Sequence, residues 1–244
     1  MAFSAKFSEE PMFCGALRCL QPRQGYRFSV DAVLLAHFLT PQPEARILDL
    51  GAGCGVVSLI LSHRWPTANL VALELQPRLA EVVRRNVAIN SLASRVTVLE
   101  GDCRWIADLL APNSFDWVAT NPPYYPTASG RHHPGTERAK ARHEILGGVG
   151  EMAPAAAFAL KSGGRAAFVY PAARTEILLS ALRDNGLAPK RLQRVHPYPE
   201  AEAGLVLVEA VKDGGEGLEV LPEFCICQGK GGMYTVEMAA MYAR

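Results

Sequence analysis

From Arg46 onward the hydrophobic positions alternate between two periods. Short runs rich in Val, Leu and Ile predict strands over 46–50, 69–74, 95–100, 115–120, 165–170, 190–196 and 205–212. Between them, apolar residues recur at helical spacing over 56–65, 77–90, 150–161 and 174–185. The 77–90 segment is the best marked: Pro77 at a first helical position costs no hydrogen bond, and Glu81 stands four residues before Arg85. Strand and helix in alternation predict an α/β fold with a mostly parallel sheet of seven strands and helices on both faces. The last two strands follow one another without a helix, so that end of the sheet is expected to close as an antiparallel hairpin.

Two regions break the pattern. The first 45 residues read as short extended pieces around Phe13 to Leu20, then a helix at 30–39 capped by Ser29, ended by Pro41-Gln42-Pro43. They are expected to form an extension over the ligand site, with 46–244 as a single globular domain. The stretch 124–150 is rich in Gly, Pro, His and Arg and reads as a long functional or disordered loop.

Composition narrows the function by exclusion. With 25 Lys plus Arg against 24 Asp plus Glu, the formal charge of +1 excludes nucleic-acid binding through bulk charge and requires local basic clusters instead. The N-terminus meets Glu9, Glu10 and Pro11 too early for a signal peptide, and no apolar run approaches the roughly 18 residues of a membrane span. The six cysteines (14, 19, 54, 103, 225 and 227) contain no Cys-x-x-Cys pair, so reduced thiols in the cytoplasm are expected and no metal site.

The first chemical signal follows the 46–50 strand: Gly51-Ala52-Gly53-Cys54-Gly55, then the apolar helix from Val56. A dinucleotide fingerprint needs glycine where Val56 stands, and no Gly-Lys-Ser/Thr follows to grip a triphosphate. Three glycines instead allow close backbone approach to a ligand without phosphate. Asp49 below them suits a positive amino group, Glu74 at the end of the second strand suits a ribose diol, and Asp102 adds an acid at the same edge. Ribose, cationic amine and no phosphate describe S-adenosylmethionine, leaving S-adenosylhomocysteine as product. Asp49, Gly51, Gly53 and Gly55, then Glu74, then Asp102 resemble the opening motifs of the class I methyltransferases, which implies a Rossmann-like seven-stranded sheet. The resemblance also implicates Ala52 and Leu75 in cofactor binding.

The second signal is Asn121-Pro122-Pro123-Tyr124, delivered by the 115–120 strand to the same edge. An exocyclic amine is a poor nucleophile because its lone pair is delocalised, so it must be held in line with the methyl group. Asn121 can accept one N–H and the Pro122 carbonyl the other, and two prolines stiffen the segment. Tyr124 offers a stacking face worth about 1–3 kcal/mol per base. The motif resembles that of enzymes methylating planar amines: adenine N6, guanine N2 of ribosomal RNA, or the glutamine amide of release factors. Direct transfer is expected, with no covalent enzyme intermediate and no cysteine nucleophile.

A base within a stack cannot reach Asn121, so the substrate must be looped, single-stranded or flipped. Arg131, Arg138, Lys140 and Arg142 form a local basic cluster suited to phosphate, with Tyr125 a wall of the pocket. The run Lys190-Arg191-Leu192-Gln193-Arg194 reads as a second cluster or as strand-end charge. The segment from Gly25 to Ala36, with Asn-Pro-Pro-Tyr-Tyr and Ala141-Arg142-His143-Glu144, resembles the bacterial valine-tRNA adenine-N6 methyltransferases that modify adenine 37. This resemblance implies a tRNA partner, a cytoplasmic monomer or homodimer, and Arg27, Phe28, Ser29 and Asp31 near the methionine end of the cofactor. Release-factor methyltransferases carry a helical domain ahead of the glycine loop, for which the 48 residues before Asp49 leave little room. Ribosomal RNA guanine methyltransferases often carry a duplicated domain. A non-catalytic cofactor-binding RNA protein is the rival from another class, and the intact Asn121, Pro122 and Tyr124 argue against it.

Overall fold

The computed structural model describes residues 7–23, 29–123 and 148–243. Strands β3 (Arg46–Leu50), β4 (Asn69–Glu74), β5 (Val96–Glu100), β6 (Phe115–Thr120), β7 (Leu160–Pro171), β8 (Leu187–His196) and β9 (Leu205–Lys212) are the seven predicted, with β7 and β8 longer than expected. The sheet also gains two-residue strands β10 (Glu219–Val220) and β11 (Phe224–Cys225), which pair in parallel along β8; the order is β10-β8-β9-β7-β6-β3-β4-β5. Strands β5, β4, β3, β6 and β7 are parallel, whereas β9 runs antiparallel to both β7 and β8. The predicted end hairpin is therefore present.

Each helix buries one face of this sheet. Helices α1 (Val30–Phe38), α2 (Val56–Arg64) and α3 (Pro77–Ile89) share one core with Ile47, Leu70, Trp117 and Val169. The short α4 (Ile106–Leu109), α5 (Val149–Ala159) and α6 (Thr175–Asp184) share the other with Leu48, Leu73, Val118 and Phe168. Alternate residues of each central strand thus face opposite layers, as the pleat requires. The pair Arg85 and Glu81 on α3 closes at 2.7 Å. A C-terminal helix α7 (Val236–Ala243) seats Met238 against α1. No helix among the described residues is long and apolar enough to cross a membrane.

The N-terminal region departs from its reading in two ways. Its extended pieces pair as an antiparallel hairpin of β1 (Phe7–Met12) and β2 (Leu17–Pro22). Ser29 precedes α1 in an extended conformation, but its side chain makes no capping bond; its backbone carbonyl accepts from Ala32 N instead, and Asp31 supplies the first-turn negative charge. The hairpin is tied down by Asn86, a fully buried polar residue on the apolar stripe of α3. Its carboxamide accepts from Leu20 N (2.7 Å) and donates to the carbonyls of Leu20 (2.9 Å) and Cys54 (2.8 Å), linking β2, α3 and the glycine loop.

The second basic run is spent within the fold. Arg191 bonds Glu209 at 2.9 Å, Arg194 pairs with Glu223, and Lys190 donates to the carbonyls of Gly215 and Glu216. Glu209 is fully buried on β9 and also pairs with Arg165 of β7, so one carboxylate joins three strands. Replacing it by Ala should lower the urea unfolding free energy by about 2 kcal/mol, less than the 3–5 of a fully buried pair because both guanidiniums left behind are partly exposed. A loss under about 0.5 kcal/mol, the range of an ordinary surface substitution, would contradict this reading of the triad.

Candidate active site

Three adjacent strands end together on one edge of the sheet. Leu50 of β3 pairs with Leu73 of β4 and with Thr120 of β6, so the segments that follow them emerge side by side. After Leu50 the chain turns toward β4, with Gly51 N and Ala52 N both donating to the Leu73 carbonyl at 2.9 and 3.0 Å. Gly51 takes the left-handed conformation (φ +79°), and a Cβ there would stand 2.8 Å from the Met152 methyl. Together these segments wall a cavity of about 140 Å³.

Glu74 is the buried acid of this cavity. One carboxylate oxygen accepts from Gly53 N at 2.7 Å and the other from Gln76 N at 2.8 Å. Burial nevertheless pushes its carboxyl above the ordinary range, against the pull of those backbone donors. Each oxygen has a second lone pair for a ligand hydroxyl. Asp102 stands across from it, its carboxylate held by Arg104 at 2.5 Å, which keeps its pKa low. Leu73, Leu75, Leu79 and Met152 supply apolar wall, and Asn121 and Pro123 close the side toward β6. The described wall carries two carboxylates, whose negative charge disfavours phosphate beside them.

Of the residues expected at the cofactor, Gly51, Gly53, Glu74, Leu75 and Asp102 line this cavity, and Asn121, expected to hold the amine, lines it with them. Three others lie behind it. Gly55 (φ +83°) starts α2 and allows close approach of α3, since a Cβ there would meet Val83 Cγ1 at 2.9 Å. Ala52 is buried within the turn. Asp49 faces α2 rather than the cavity: its Oδ2 accepts from Ser58 N at 3.0 Å and Ser58 Oγ at 2.7 Å, so it anchors the first turn of the helix. Pro122 is buried beside the wall. Ser29 is exposed and does not line the cavity, nor does any other described residue of the first 45. Arg27, Phe28, Tyr124, Tyr125, Arg131, Arg138, Lys140 and Arg142 lie outside the described residues.

The sequence did not mark Gln76, the residue before α3, Leu79 on its first turn, Cys103 after Asp102, or Met152 on α5. Counting on from Glu74 could have found the first two. Nothing local marks Met152, which reaches the site through the packing of α5 on the sheet and its neighbouring helices.

A glycine turn between β3 and α2, a buried acid at the end of β4 and Asn-Pro-Pro at the end of β6 define an α/β methyltransferase of the Rossmann-like class. Residues 29–175 match the methyltransferase small domain. The chain is 31% identical to the tRNA1(Val) (adenine(37)-N6)-methyltransferase of Shewanella amazonensis, over 89% of this chain and 90% of that one. It is 30% identical to the protein of the same name from Porphyromonas gingivalis, over 75% and 73%. The chain belongs to the methyltransferase small-domain family and, within it, groups with the tRNA1(Val) (adenine(37)-N6)-methyltransferases. The fold is shared with a predicted O-methyltransferase from Agrobacterium tumefaciens (TM-score 0.71, 23% identity, covering 87% of this chain and 95% of that one). It is shared also with P. horikoshii TYW2 in complex with MeSAdo (TM-score 0.60, 17% identity, covering 86% and 73%).

Burial raises the Asp49 carboxyl from 3.8 to about 6, against the Ser58 bonds that lower it and with the Glu74 charge adding to the rise. Between about pH 4 and pH 6 the folded state therefore holds a proton that the unfolded state has lost, and stability falls as pH rises through that window. Asp49→Asn keeps an acceptor for Ser58 without the charge. The stability of the native protein relative to this variant should drop by about 2–3 kcal/mol between pH 4 and pH 7, read by urea titration at each pH. A difference independent of pH would show that Asp49 ionises normally in the fold.

Proposed function

We propose that the protein methylates the exocyclic N6 amine of adenine 37 in valine tRNA, with S-adenosylmethionine as methyl donor and S-adenosylhomocysteine as product. The observation that carries this reading is the shared edge: Asn121-Pro122-Pro123 leaves β6 beside the glycine turn of β3, across one cavity from Glu74. The names of the relatives point to the same base and RNA.

The residues present fit the cofactor. Glu74 retains lone pairs for a ribose diol after binding Gly53 N and Gln76 N. Leu75, Leu79 and Met152 offer apolar walls, and a void of this size accepts roughly one aromatic ring, as a dry apolar cavity of about 150 Å³ does benzene. Asp102 adds an acceptor at the rim, and Gly51 and Gly53 permit close backbone approach. When bound, S-adenosylmethionine supplies a methyl group activated on a sulfonium. Residues 1–45 would then serve as the extension over this site, with Arg27 assigned to the methionine end of the cofactor, and 46–244 as the catalytic domain.

The chain's own part in the chemistry is orientation. The Asn121 carbonyl accepts one hydrogen of the adenine amine and the Pro122 carbonyl the other, aligning the nitrogen lone pair. Pro123 holds the segment rigid, and Tyr124 stacks on the base. The amine proton passes to water after transfer, so no enzyme nucleophile takes part. Tyr125, Arg131, Arg138, Lys140 and Arg142 would hold the RNA, and the protein acts in the cytoplasm as a monomer or homodimer.

Two variants separate binding from chemistry. Asn121→Ala should lower kcat for methyl transfer to tRNA by about 10²- to 10³-fold while leaving the Kd for S-adenosylmethionine within about twofold. Glu74→Ala should weaken cofactor binding by about 10- to 100-fold, as loss of hydrogen bonds to a charged group does. Equal loss of cofactor affinity in Asn121→Ala would contradict its role, as would an unchanged Kd in Glu74→Ala; calorimetry and labelled-methyl transfer read both.

A further inference from the structure

The buried hydroxyl of Thr120 stands one residue ahead of Asn121 and has no part in the chemistry described above. It donates to the Leu50 carbonyl at 2.9 Å, across the final Leu50–Thr120 pair of the β3–β6 ladder. Its oxygen also lies 3.0 Å from Met152 Sδ. A hydroxyl has one proton, so the carbonyl takes the hydrogen bond and the thioether packs against the oxygen. The residues that follow each partner are Gly51 and Asn121, so this bond joins the two strands at the roots of the cofactor loop and of the amine-binding segment.

The β3–β6 ladder ends at Leu50 and Thr120, and Pro122 and Pro123 have no N–H with which to continue it. The first amides beyond Leu50, those of Gly51 and Ala52, turn the other way, to Leu73 of β4. In-line transfer tolerates little error, since a displacement of about 1 Å at the reacting centre costs on the order of 10²-fold in rate. We infer that Thr120 is a positioning residue: its hydroxyl, bonded to Leu50 O and backed by Met152, sets the distance between the Asn121 carboxamide and the glycine turn. It touches neither substrate nor cofactor and acts through the register of the two segments.

This inference rests on the assignment of Asn121 to methyl transfer, and its test carries one readout that does not depend on transfer. Thr120→Val and Thr120→Ala both remove the hydroxyl, one keeping bulk and the other losing it, whereas Thr120→Ser keeps the donor. The first two should lower kcat by about 10- to 100-fold with the tRNA KM and the cofactor Kd within about twofold, and Thr120→Ser should retain at least about half of kcat. In the cofactor-free protein, deuterium exchange of a peptide covering 115–121 should speed by about tenfold in Val and Ala and stay unchanged in Ser. Val and Ala variants equal to the native protein in kcat and in exchange would overturn the inference. So would a Ser variant as impaired as they are, or a fall in kcat matched by loss of cofactor binding. Failure of the native protein to transfer methyl to any tRNA overturns the functional reading instead, and the exchange data then decide the role of the hydroxyl alone.

Discussion

The parallel register of β3, β4 and β6 is the constraint on which the site depends. Side-chain direction alternates along each strand, so a slip of one residue would turn Asp49, Glu74 and Thr120 to the wrong layers and separate the segments that follow them. The register is held by burial on both faces: Ile47 and Trp117 pack with α1 and α2, while Leu48 and Val118 pack with α5 and α6. Glycine turn, acid and Asn-Pro-Pro therefore arrive at one edge as a consequence of core packing. This is the usual place for a ligand in an open α/β sheet, outside the carboxyl ends of its strands.

The polar groups buried near that edge divide into two kinds. Asp49 and Asn86 are turned inward, and each joins neighbouring elements by hydrogen bonds: Asp49 binds the first turn of α2, and Asn86, together with Asn90 at the end of α3, binds the hairpin to α3, Asn86 also reaching the glycine loop. Glu74 both joins elements and faces the cavity. Its bonds to Gly53 N and Gln76 N hold the carboxylate still, which lowers the cost of ordering it when a ligand binds. Burial raises the carboxyls of both Asp49 and Glu74, so ionising either in the fold carries a desolvation cost, an example of stability given up near the candidate site.

Much of this was legible in the sequence, because strands buried on both faces are continuous apolar runs and the residues after them are turn formers. Strands β3, β4, β6 and β9 have the bounds that their hydrophobic pattern implies. The glycines and Glu74 were legible through spacing, as was Asn121 through the two prolines behind it. The direction in which Asp49 points was not, since an acid at a strand end can face ligand or helix, and only the presence of Ser58 one turn into α2 decides it. Met152 and the strands β10 and β11 were hidden for a related reason. Their places are set by tertiary packing, and a two-residue strand has no period to detect.

The identity of the methylated atom decides the proposed function. The most direct test incubates the native protein with S-adenosylmethionine and unmodified valine tRNA, then maps the product by nuclease digestion and mass spectrometry. A single added methyl group, on N6 of adenine 37, is the expected product. Methyl on guanine N2, on a release-factor glutamine offered in parallel, or on no acceptor at all would contradict it.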